Sequence, residues 1–427
     1  MKRYSPLLLV GIIAAFFSAC SPSFQSSNAF LDSRDGIAYN EINADSAFQK
    51  AFLVWVEQPL DHNDPSKGTF RQRVWLSHRS PDAPMVMVTE GYWAPSNYTT
   101  ELTRMLEANQ LIVEHRYFDA SVPDSIQWEY LTIEQAARDH HRIVQMFKRF
   151  YTGKWVNTGI SKGGQTAMIH RAFYPKDVDV TVTYVAPFNM SREDPRLIDF
   201  FEKSLDRSTR ERIRNFQIEL LKRKISLMPL FEHLAREKGW SFSMGMEKAY
   251  ELCVLEYPFS LLQWCGPIDQ IPESGAGNDE LFRHFYRAID FSYFSDNDRD
   301  RFGPFFYQAY KELGYYAYLA SPLLPYMNCI KSDTVSSDFM VPVKGGVDFI
   351  GERPYQIQKR LTRSNPRMIH IVGENDPWSS TSPVFKALSN SYKFVDPNGC
   401  HLTRIHTLPD SMQQQAMGLL KKWLLKD

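Results

Sequence analysis

The chain has 427 residues, of which 43% are apolar, 14% aromatic and 23% charged. This composition is sufficient for a large folded core and excludes an intrinsically disordered protein. Its 49 basic residues balance 49 acidic ones, which argues against a nucleic-acid partner recruited by charge. Five cysteines are too few for a disulfide scaffold of this length. They form no Cys-x-x-Cys pair, so no zinc site is predicted.

The first twenty residues have the form of a bacterial export signal. Lys2 and Arg3 form a positive start, and residues 7–17 form an apolar run that is too short to span a bilayer. The run ends at Ser-Ala before Cys20, as in a lipoprotein cleavage box. We therefore expect a lipoprotein signal peptide over residues 1–19 and a lipid-anchored Cys20 in the bacterial cell envelope. Ser21 directly after it favours the outer membrane. An ordinary signal peptide with an incidental cysteine is the alternative.

Residues 20–50 are rich in Ser, Asn and Asp and lack apolar periodicity, so they are predicted to form a tether. The other four cysteines lie at positions 253, 265, 329 and 400. An oxidising envelope permits disulfides, but four thiols allow three pairings between which the sequence does not choose. Cys253 with Cys265 is the pairing of nearest neighbours along the chain.

Short apolar runs alternate with helical patterns after residue 50. The predicted strands lie at residues 52–56, 74–77, 85–89, 111–115, 155–158, 178–185, 368–372 and 392–395. The predicted helices lie at residues 132–150, 162–173 and 412–425, and Thr132 with Gln135 forms a capping box at the start of the first. Strands that alternate with helices indicate an α/β fold with a mostly parallel, doubly wound sheet.

The pattern changes near residue 189. Up to about residue 344 the chain has long charged and aromatic helical stretches, for example residues 204–227, 249–264 and 299–319. Connections without secondary structure seldom exceed about 15 residues. We therefore interpret residues 190–344 as a helical cap (called the cap below), inserted into one α/β domain formed by residues 51–189 and 345–427.

A Gly-x-Ser-x-Gly element occupies residues 159–163, between a predicted strand and a predicted helix. In that context a tight turn presents the serine hydroxyl at the carboxyl edge of the sheet. The flanking glycines are required because a side chain there would collide with the neighbouring backbone. Ser161 is therefore the predicted nucleophile. A glycine-rich turn with a passive serine is the alternative.

A serine nucleophile needs a histidine base and an acid, which follow in the chain order Ser, acid, His in this architecture. His401 and His406 both follow the last predicted strand, and we favour His401 because it lies in a loop that is free to reach inward. Asp376 follows a predicted strand directly, and we favour it over Glu374 because Pro377 fixes the turn after it. A merely turn-forming aspartate is the alternative.

The oxyanion of the reaction needs backbone amide donors. The amide of Lys162, directly after the nucleophile, and the loop at Gly91 and Tyr92 are the candidates. Glu90 beside that loop would suit capture of a free peptide α-amine, unless it is an ordinary acid on the surface. Glu312 is the second candidate for this role.

Two aromatic runs, residues 305–307 and 314–316, could line a substrate channel, with Tyr316 and Trp378 as substrate-binding candidates. At helical spacing such runs also suit the core of a cap.

Five motifs in chain order carry a resemblance to a known family. They are Gln-Pro-Leu-Asp-His at 58–62, Glu-Gly-Tyr at 90–92, Glu-His-Arg-Tyr-Phe at 114–118, Gly-Ile-Ser-Lys-Gly-Gly at 159–164 and Asp-Pro-Trp at 376–378. Together they resemble the secreted bacterial tripeptidyl aminopeptidase family of serine peptidases, which is related to prolyl carboxypeptidase and dipeptidyl peptidase II. The resemblance covers nearly the whole mature chain, and its Ser-Lys-Gly-Gly element is the most specific part.

The resemblance implies an α/β-hydrolase fold with a helical cap and release of di- or tripeptides from free N-termini of oligopeptides. It implies Ser161 as nucleophile, Asp376 as acid and His401 as base, with no metal or organic cofactor. Residues 114–118 would support the site from behind, and Asp119 stands where the family commonly has glycine. The alternatives are an esterase or lipase on the same triad, or a non-catalytic peptide-binding lipoprotein.

Overall fold

A computed structural model describes residues 26–384 and 389–424. These residues form eleven strands and twelve α-helices. The strands are β1 Ile37–Ile42, β2 Lys50–Pro59, β3 Thr69–His78, β4 Met85–Thr89, β5 Asn109–Val113, β6 Trp155–Ile160, β7 Val180–Tyr184, β8 Ala317–Leu319, β9 Thr334–Ser336, β10 Met368–Gly373 and β11 Ser391–Asp396. The helices are α1 Ser27–Asp32, α2 Glu101–Met105, α3 Ile133–Phe147, α4 Lys162–Phe173, α5 Pro195–Asp199, α6 Arg207–Lys222, α7 Lys224–Lys238, α8 Met246–Gln263, α9 Asn278–Ala288, α10 Asp296–Gln308, α11 Arg353–Ser364 and α12 Asp410–Leu424.

Nine strands form one sheet in the order β1-β2-β3-β5-β4-β6-β7-β10-β11. The pairs among β1, β2, β3 and β5 are antiparallel, and every pair from β5 to β11 is parallel. The parallel strands therefore end at the same edge of the sheet, where their loops meet. This arrangement confirms the α/β-hydrolase fold predicted from the sequence.

Helices cover both faces of the sheet, which is why its central strands are buried on both sides. All five residues of β4, β5 and β7 are buried. On one face α2 and α12 pack against the strands through a cluster that includes Leu102 and Leu420. On the other face α1 and α3 contribute Phe30, Ile143 and Phe147.

The start of α3 shows half of the predicted capping box. The Thr132 hydroxyl accepts from the backbone N–H of Gln135 at 3.2 Å. The Gln135 side chain instead bonds Asp61 at 2.6 Å and accepts from the His62 N–H at 2.9 Å. The second half of the box is thus replaced by contacts that join α3 to the loop after β2.

The predicted tether over residues 20–50 was wrong for the part from residue 26 onward. This segment forms α1 and then β1, which pairs with β2 along its whole length. Phe30 is fully buried and stacks on Phe150 at 5.0 Å. The signal was weak because β1 is a half-exposed edge strand in a polar segment. The predicted signal peptide and Cys20 lie outside the described residues.

No helix among the described residues is both long and apolar enough to cross a membrane. The helices α5 to α10 and the β8–β9 hairpin pack around a second hydrophobic cluster, which extends from Leu197 to Val341. This second core supports our proposal that residues 190–344 form a cap.

Two predicted helices of the cap were wrong in extent. The one over residues 204–227 is divided at Arg223 into α6 and α7. The one over residues 299–319 ends in a π-helical turn at Ala309–Leu313, and the chain then continues into β8. Gly314, with φ of 74°, marks the change because few residues other than glycine adopt that conformation.

Candidate active site

The turn between β6 and α4 has the geometry of a nucleophile elbow. Ser161 has φ of 56° and ψ of −125°, a strained conformation for a residue with a side chain. Its N–H donates to the Tyr184 carbonyl at 2.8 Å, and its carbonyl accepts from Gln165 at 3.0 Å. A Cβ atom on Gly159 would collide with the backbone of Gly163. The turn thus requires glycine where the sequence pattern has it.

The structure brings the preferred acid and base together. Asp376, in the loop after β10, is fully buried, and its Oδ2 lies 2.8 Å from Nδ1 of His401 in the loop after β11. Asp376 Oδ1 accepts from the Trp378 N–H at 3.2 Å. His401 and Ser161 line the same cleft, so the other imidazole nitrogen is the one available to the nucleophile side.

The two rival residues lie elsewhere. His406 is exposed and its Nδ1 pairs with Glu101 at 2.6 Å. Glu374 is exposed at the surface and is not among the residues that line the cleft. The position of each side chain thus agrees with the choice of His401 and Asp376.

The cleft is about 530 Å³ in volume and lies between the sheet edge and the cap. This is in the usual range of about 300–1,000 Å³ for ligand sites. The sheet side contributes Glu90, Tyr92 and Trp378, and the cap contributes Phe305 and Tyr316 to its aromatic lining. The two aromatic runs therefore contribute both to the lining of the cleft and to the core of the cap, because Phe305 and Tyr316 also pack in the hydrophobic cluster of the cap.

The predicted oxyanion loop approaches the elbow closely. A Cβ atom on Gly91 would lie 2.7 Å from backbone atoms of Lys162 and Gly163. The Lys162 side chain is buried and donates to the Gly91 carbonyl, with its ammonium over the rings of Tyr92 and Phe118. Burial lowers the pKa of Lys162 well below its ordinary value. The Lys162 side chain therefore ties the loop to α4, while its backbone N–H belongs to the unpaired first turn of that helix.

The Glu-His-Arg-Tyr-Phe run at 114–118 holds the same loop from behind. The His115 N–H donates to the Tyr92 carbonyl at 3.1 Å. Glu114 Oε2 accepts from the Ala94 N–H at 2.7 Å and also from Arg73. This agrees with the supporting position that the resemblance implies for the run.

Asp119 occupies the position where the family commonly has glycine. Its φ of 43° lies in the left-handed region that favours glycine. Aspartate is one of the few other residues that tolerate this region, and its carboxylate pairs with Arg73. The departure is thus accommodated locally, at the beginning of a short 3₁₀ turn.

Of the two predicted amine-binding acids, Glu90 lies in the cleft. Its Oε1 accepts a hydrogen bond from the Tyr98 hydroxyl. Burial raises the pKa of Glu90 to about 7, although the bond from Tyr98 opposes the shift. This carboxylate is therefore close to half ionised at neutral pH.

The prediction of Glu312 as a substrate-binding residue was wrong. Its carboxylate is buried, accepts from the Ile133 N–H at 2.8 Å and pairs with Arg353 at 3.2 Å. It lies in the π-helical turn that ends α10, which directs the side chain toward the free N–H groups at the start of α3. It therefore fastens the cap to the α/β domain and is not part of the cleft lining.

Sequence reasoning missed Glu256, which lies on α8 and lines the cleft. Its Oε2 accepts from the hydroxyls of Tyr316 and Tyr318 at 2.7 Å each, and its Oε1 accepts from Ser260 at 2.9 Å. Burial raises its pKa. The available signal was a lone acid within the apolar stretch at residues 252–262, a place where a charge is seldom buried without a partner.

Two further carboxylates of the cap, Asp290 and Asp298, also line the cleft and were not predicted. Neither lies near a motif, so no pattern in the sequence selects them.

The described residues contain one disulfide, Cys265–Cys400, whose partners are 135 residues apart. Of the pairings that the sequence left open, the local one between Cys253 and Cys265 is therefore wrong. Cys253 is free and buried, and Cys329 is free and exposed. A loop at the end of α8 and the loop of His401 are thus joined covalently.

One group within residues 26–384 and 389–424 has donors close enough for a metal ion, namely Glu247, Glu251 and Cys329. The Lys224 ammonium lies 2.6 Å from Glu247 and 2.7 Å from Glu251. The Lys224 ammonium already pairs with both acids, so the group is accounted for as an ion-pair network, and none of its residues lines the cleft.

Comparison with known proteins agrees with this geometry. The family model described as PS-10 peptidase S37 matches residues 29–424. The chain belongs to the peptidase S37 family. This confirms, at the level of the family, the resemblance to tripeptidyl aminopeptidases and with it a serine peptidase.

Individual relatives of this S37 peptidase differ in the share of the chain that they match. The prolyl tri/tetrapeptidyl aminopeptidase of Streptomyces mobaraensis is 33% identical over 388 residues, which is 87% of this chain and 79% of the relative. A protein of Arabidopsis thaliana named probable serine protease EDA2 is 30% identical over 145 residues, 29% of this chain and 30% of its own. Among solved structures, proline iminopeptidase of Mycobacterium smegmatis covers 87% of this chain and 100% of its own at 12% identity and a TM-score of 0.46.

Proposed function

We propose that this S37 peptidase is a serine exopeptidase that releases di- or tripeptides from the free N-termini of oligopeptides. The observation that carries the proposal is that the strained Ser161 and His401, whose other side is paired with Asp376, line one cleft together with carboxylates. A cap over this cleft limits access to flexible peptides, which is why we propose oligopeptides and not folded proteins as substrates.

In the proposed mechanism Ser161 attacks the scissile carbonyl, and His401 takes the hydroxyl proton and then delivers it to the leaving amine. Asp376 orients the imidazole and stabilises its protonated form. A water molecule that gives its proton to His401 then hydrolyses the acyl-enzyme. Amides of Lys162 and of the loop at Gly91 and Tyr92 would stabilise the oxyanion.

We infer a preference for a free N-terminus from the acidic lining of the cleft. Four carboxylates line it, those of Glu90, Glu256, Asp290 and Asp298. The lysine of the lining already donates to a backbone carbonyl. A substrate ammonium is therefore attracted into the cleft, whereas a blocked N-terminus gains nothing from these carboxylates. Glu90 and Glu256 are our candidates for direct contact with the amine.

The test is a library of oligopeptides with free N-termini, read by mass spectrometry. Because the Streptomyces relative is named a prolyl tri/tetrapeptidyl aminopeptidase, the library includes peptides with proline at each of the first four positions. We expect short N-terminal fragments as products, strong suppression after N-terminal acetylation, and loss of activity in Ser161→Ala with an unchanged thermal unfolding profile.

Two results would overturn the proposal. Faster hydrolysis of chromogenic acyl esters than of every peptide would favour an esterase on the same residues. Absence of labelling by a fluorophosphonate probe would favour a non-catalytic peptide-binding protein.

We also propose that the mature protein is a lipoprotein of the bacterial cell envelope, anchored through Cys20. The support is the short apolar run that ends directly before this cysteine. The oligomeric state plays no part in this proposal.

A further inference from the structure

The end of α8, in the cap, makes three contacts with the loop that carries His401. Cys265 forms the disulfide with Cys400, the residue directly before the histidine. The Gln263 carbonyl accepts from the backbone N–H of His401 at 3.1 Å. The Trp264 ring meets the imidazole edge-on, with 6.0 Å between ring centroids. A covalent bond, a hydrogen bond and a ring contact thus act on two adjacent residues.

The same segment also holds the loop of the acid. The Gln263 side-chain oxygen accepts from Trp378 Nε1 at 3.1 Å. Trp378 in turn donates its backbone N–H to Asp376 Oδ1 at 3.2 Å. One residue of the cap therefore bonds the base loop through its carbonyl and the acid loop through its side chain.

The loop of His401 is also held from within the α/β domain, because Arg404 donates to the His401 carbonyl at 3.2 Å and the Asn375 N–H donates to the Gly399 carbonyl at 2.9 Å. The residue after His401, Leu402, is half exposed. A displacement of about 1 Å in a catalytic group can reduce the rate about 100-fold. The α/β domain thus holds one ring nitrogen, through Asp376, and the backbone carbonyl of His401, whereas the cap holds the His401 N–H and the preceding Cys400.

We propose that Gln263 and the Cys265–Cys400 disulfide are positioning elements for His401, so that peptidase activity depends on the oxidised bridge. The inference rests on the proposed function of His401 as base. A phosphine attacks the disulfide, and water then supplies the oxygen of the phosphine oxide and the protons of the two thiols, so that reduction removes the covalent link between the cap and the base loop. In the oxidised protein the cap is therefore part of the catalytic unit and is not a lid that is free to open at this edge.

The first test compares cysteine variants. We expect Cys265→Ser and Cys400→Ser to lower kcat at least 10-fold with KM changed less than about 3-fold, because the base is misplaced while the cleft remains. Cys253→Ala and Cys329→Ser, at the two free cysteines, are the matched controls and should keep wild-type kcat. Circular dichroism at the assay temperature checks that each variant is folded.

The second test needs no substitution at the bridge. Titration of the wild type with a phosphine should lower activity in proportion to the thiols formed from the bridge, and the reagent should leave the Cys265→Ser/Cys400→Ser double variant unaffected. Gln263→Met should lower kcat without altering KM. Gln263→Glu keeps an acceptor oxygen for Trp378 and should therefore retain most of the wild-type kcat.

Equal kcat in the bridged and bridge-free proteins would overturn the proposal. An increase in KM with unchanged kcat would also overturn it, because that would place the effect on substrate binding. The rate at which a fluorophosphonate labels Ser161 is measured in parallel, since it reports on the base without any peptide substrate. A wild type that is labelled but cleaves no peptide would contradict the proposed function while still testing the bridge.

Discussion

Arg116 offers the sharpest test of how the loop behind the site is held. All five of its N–H donors are used within a fully buried environment. Two bond Asp139, at 2.6 and 2.7 Å. The other three bond the backbone carbonyls of Pro59, Leu60 and Tyr130. Burial alone would raise the pKa of Asp139, but the guanidinium holds it below its ordinary value.

Arg116→Met should destabilise the protein by about 5 kcal/mol. Removal of one partner from a buried ion pair costs about 3–5 kcal/mol, because the other charge is left behind; here Asp139 keeps the His62 imidazole at 2.7 Å but loses both bonds from the guanidinium. The loss should lie at the upper end because three buried carbonyls also lose their donor. Arg116→Met/Asp139→Asn should recover part of it. Urea unfolding at 25 °C, followed by circular dichroism, measures the change.

Arg207 on α6 provides the control, because its guanidinium is exposed and pairs with Glu211 one helical turn away. Arg207→Met should change the free energy of unfolding by less than about 0.5 kcal/mol. A loss of less than about 1 kcal/mol in the free energy of unfolding of Arg116→Met would refute the cost assigned to the Asp139 carboxylate without its guanidinium. So would an Arg116→Met/Asp139→Asn variant that is less stable than Arg116→Met.

Three further predictions concern substrates and location. Glu256→Gln and Glu90→Gln should each lower kcat/KM at least 10-fold for peptides with free N-termini and little for acetylated ones. The control Glu312→Gln should leave the ratio of kcat/KM between free and acetylated peptides unchanged. Equal losses for both substrates would contradict a contact with the amine. Since burial raises the pKa of Glu90 to about 7, this acid gains its charge as pH rises, while a peptide α-amine keeps its proton up to its pKa of about 7.7–8.0. The wild-type ratio should therefore increase from pH 5 to 7, and this increase should be smaller in Glu90→Gln. Cys20→Ser should abolish incorporation of a labelled fatty acid and move the protein from the membrane to the soluble fraction; unchanged fractionation would argue against the anchor.

Much of the fold could be predicted because its signals are local. Buried parallel strands such as β4 read directly as apolar runs, and its predicted limits agree with the structure. The elbow was recognisable because glycines at fixed offsets from Ser161 meet a steric demand that exists in the turn itself. In both cases the residues that define the feature are neighbours in sequence.

Features that depend on distant contacts were not predictable in this way. The disulfide joins residues 135 positions apart, and spacing alone favours a nearer partner. Glu312 had the right chemistry for amine binding, but the π-helical turn at Ala309–Leu313 rotates it toward α3. Glu256 was overlooked because its hydroxyl partners, Tyr316 and Tyr318, come from a segment 60 residues later.

The acidic lining of the cleft has a consequence for the end of the catalytic cycle. Under the proposed mechanism, hydrolysis of the acyl-enzyme creates a new carboxylate at Ser161, in a cavity already lined by four acidic side chains. Like charges in a partly dehydrated space repel one another. The released peptide keeps the ammonium that these side chains attract but gains a carboxylate that they repel, so accumulated dipeptides and tripeptides should bind more weakly than intact substrate.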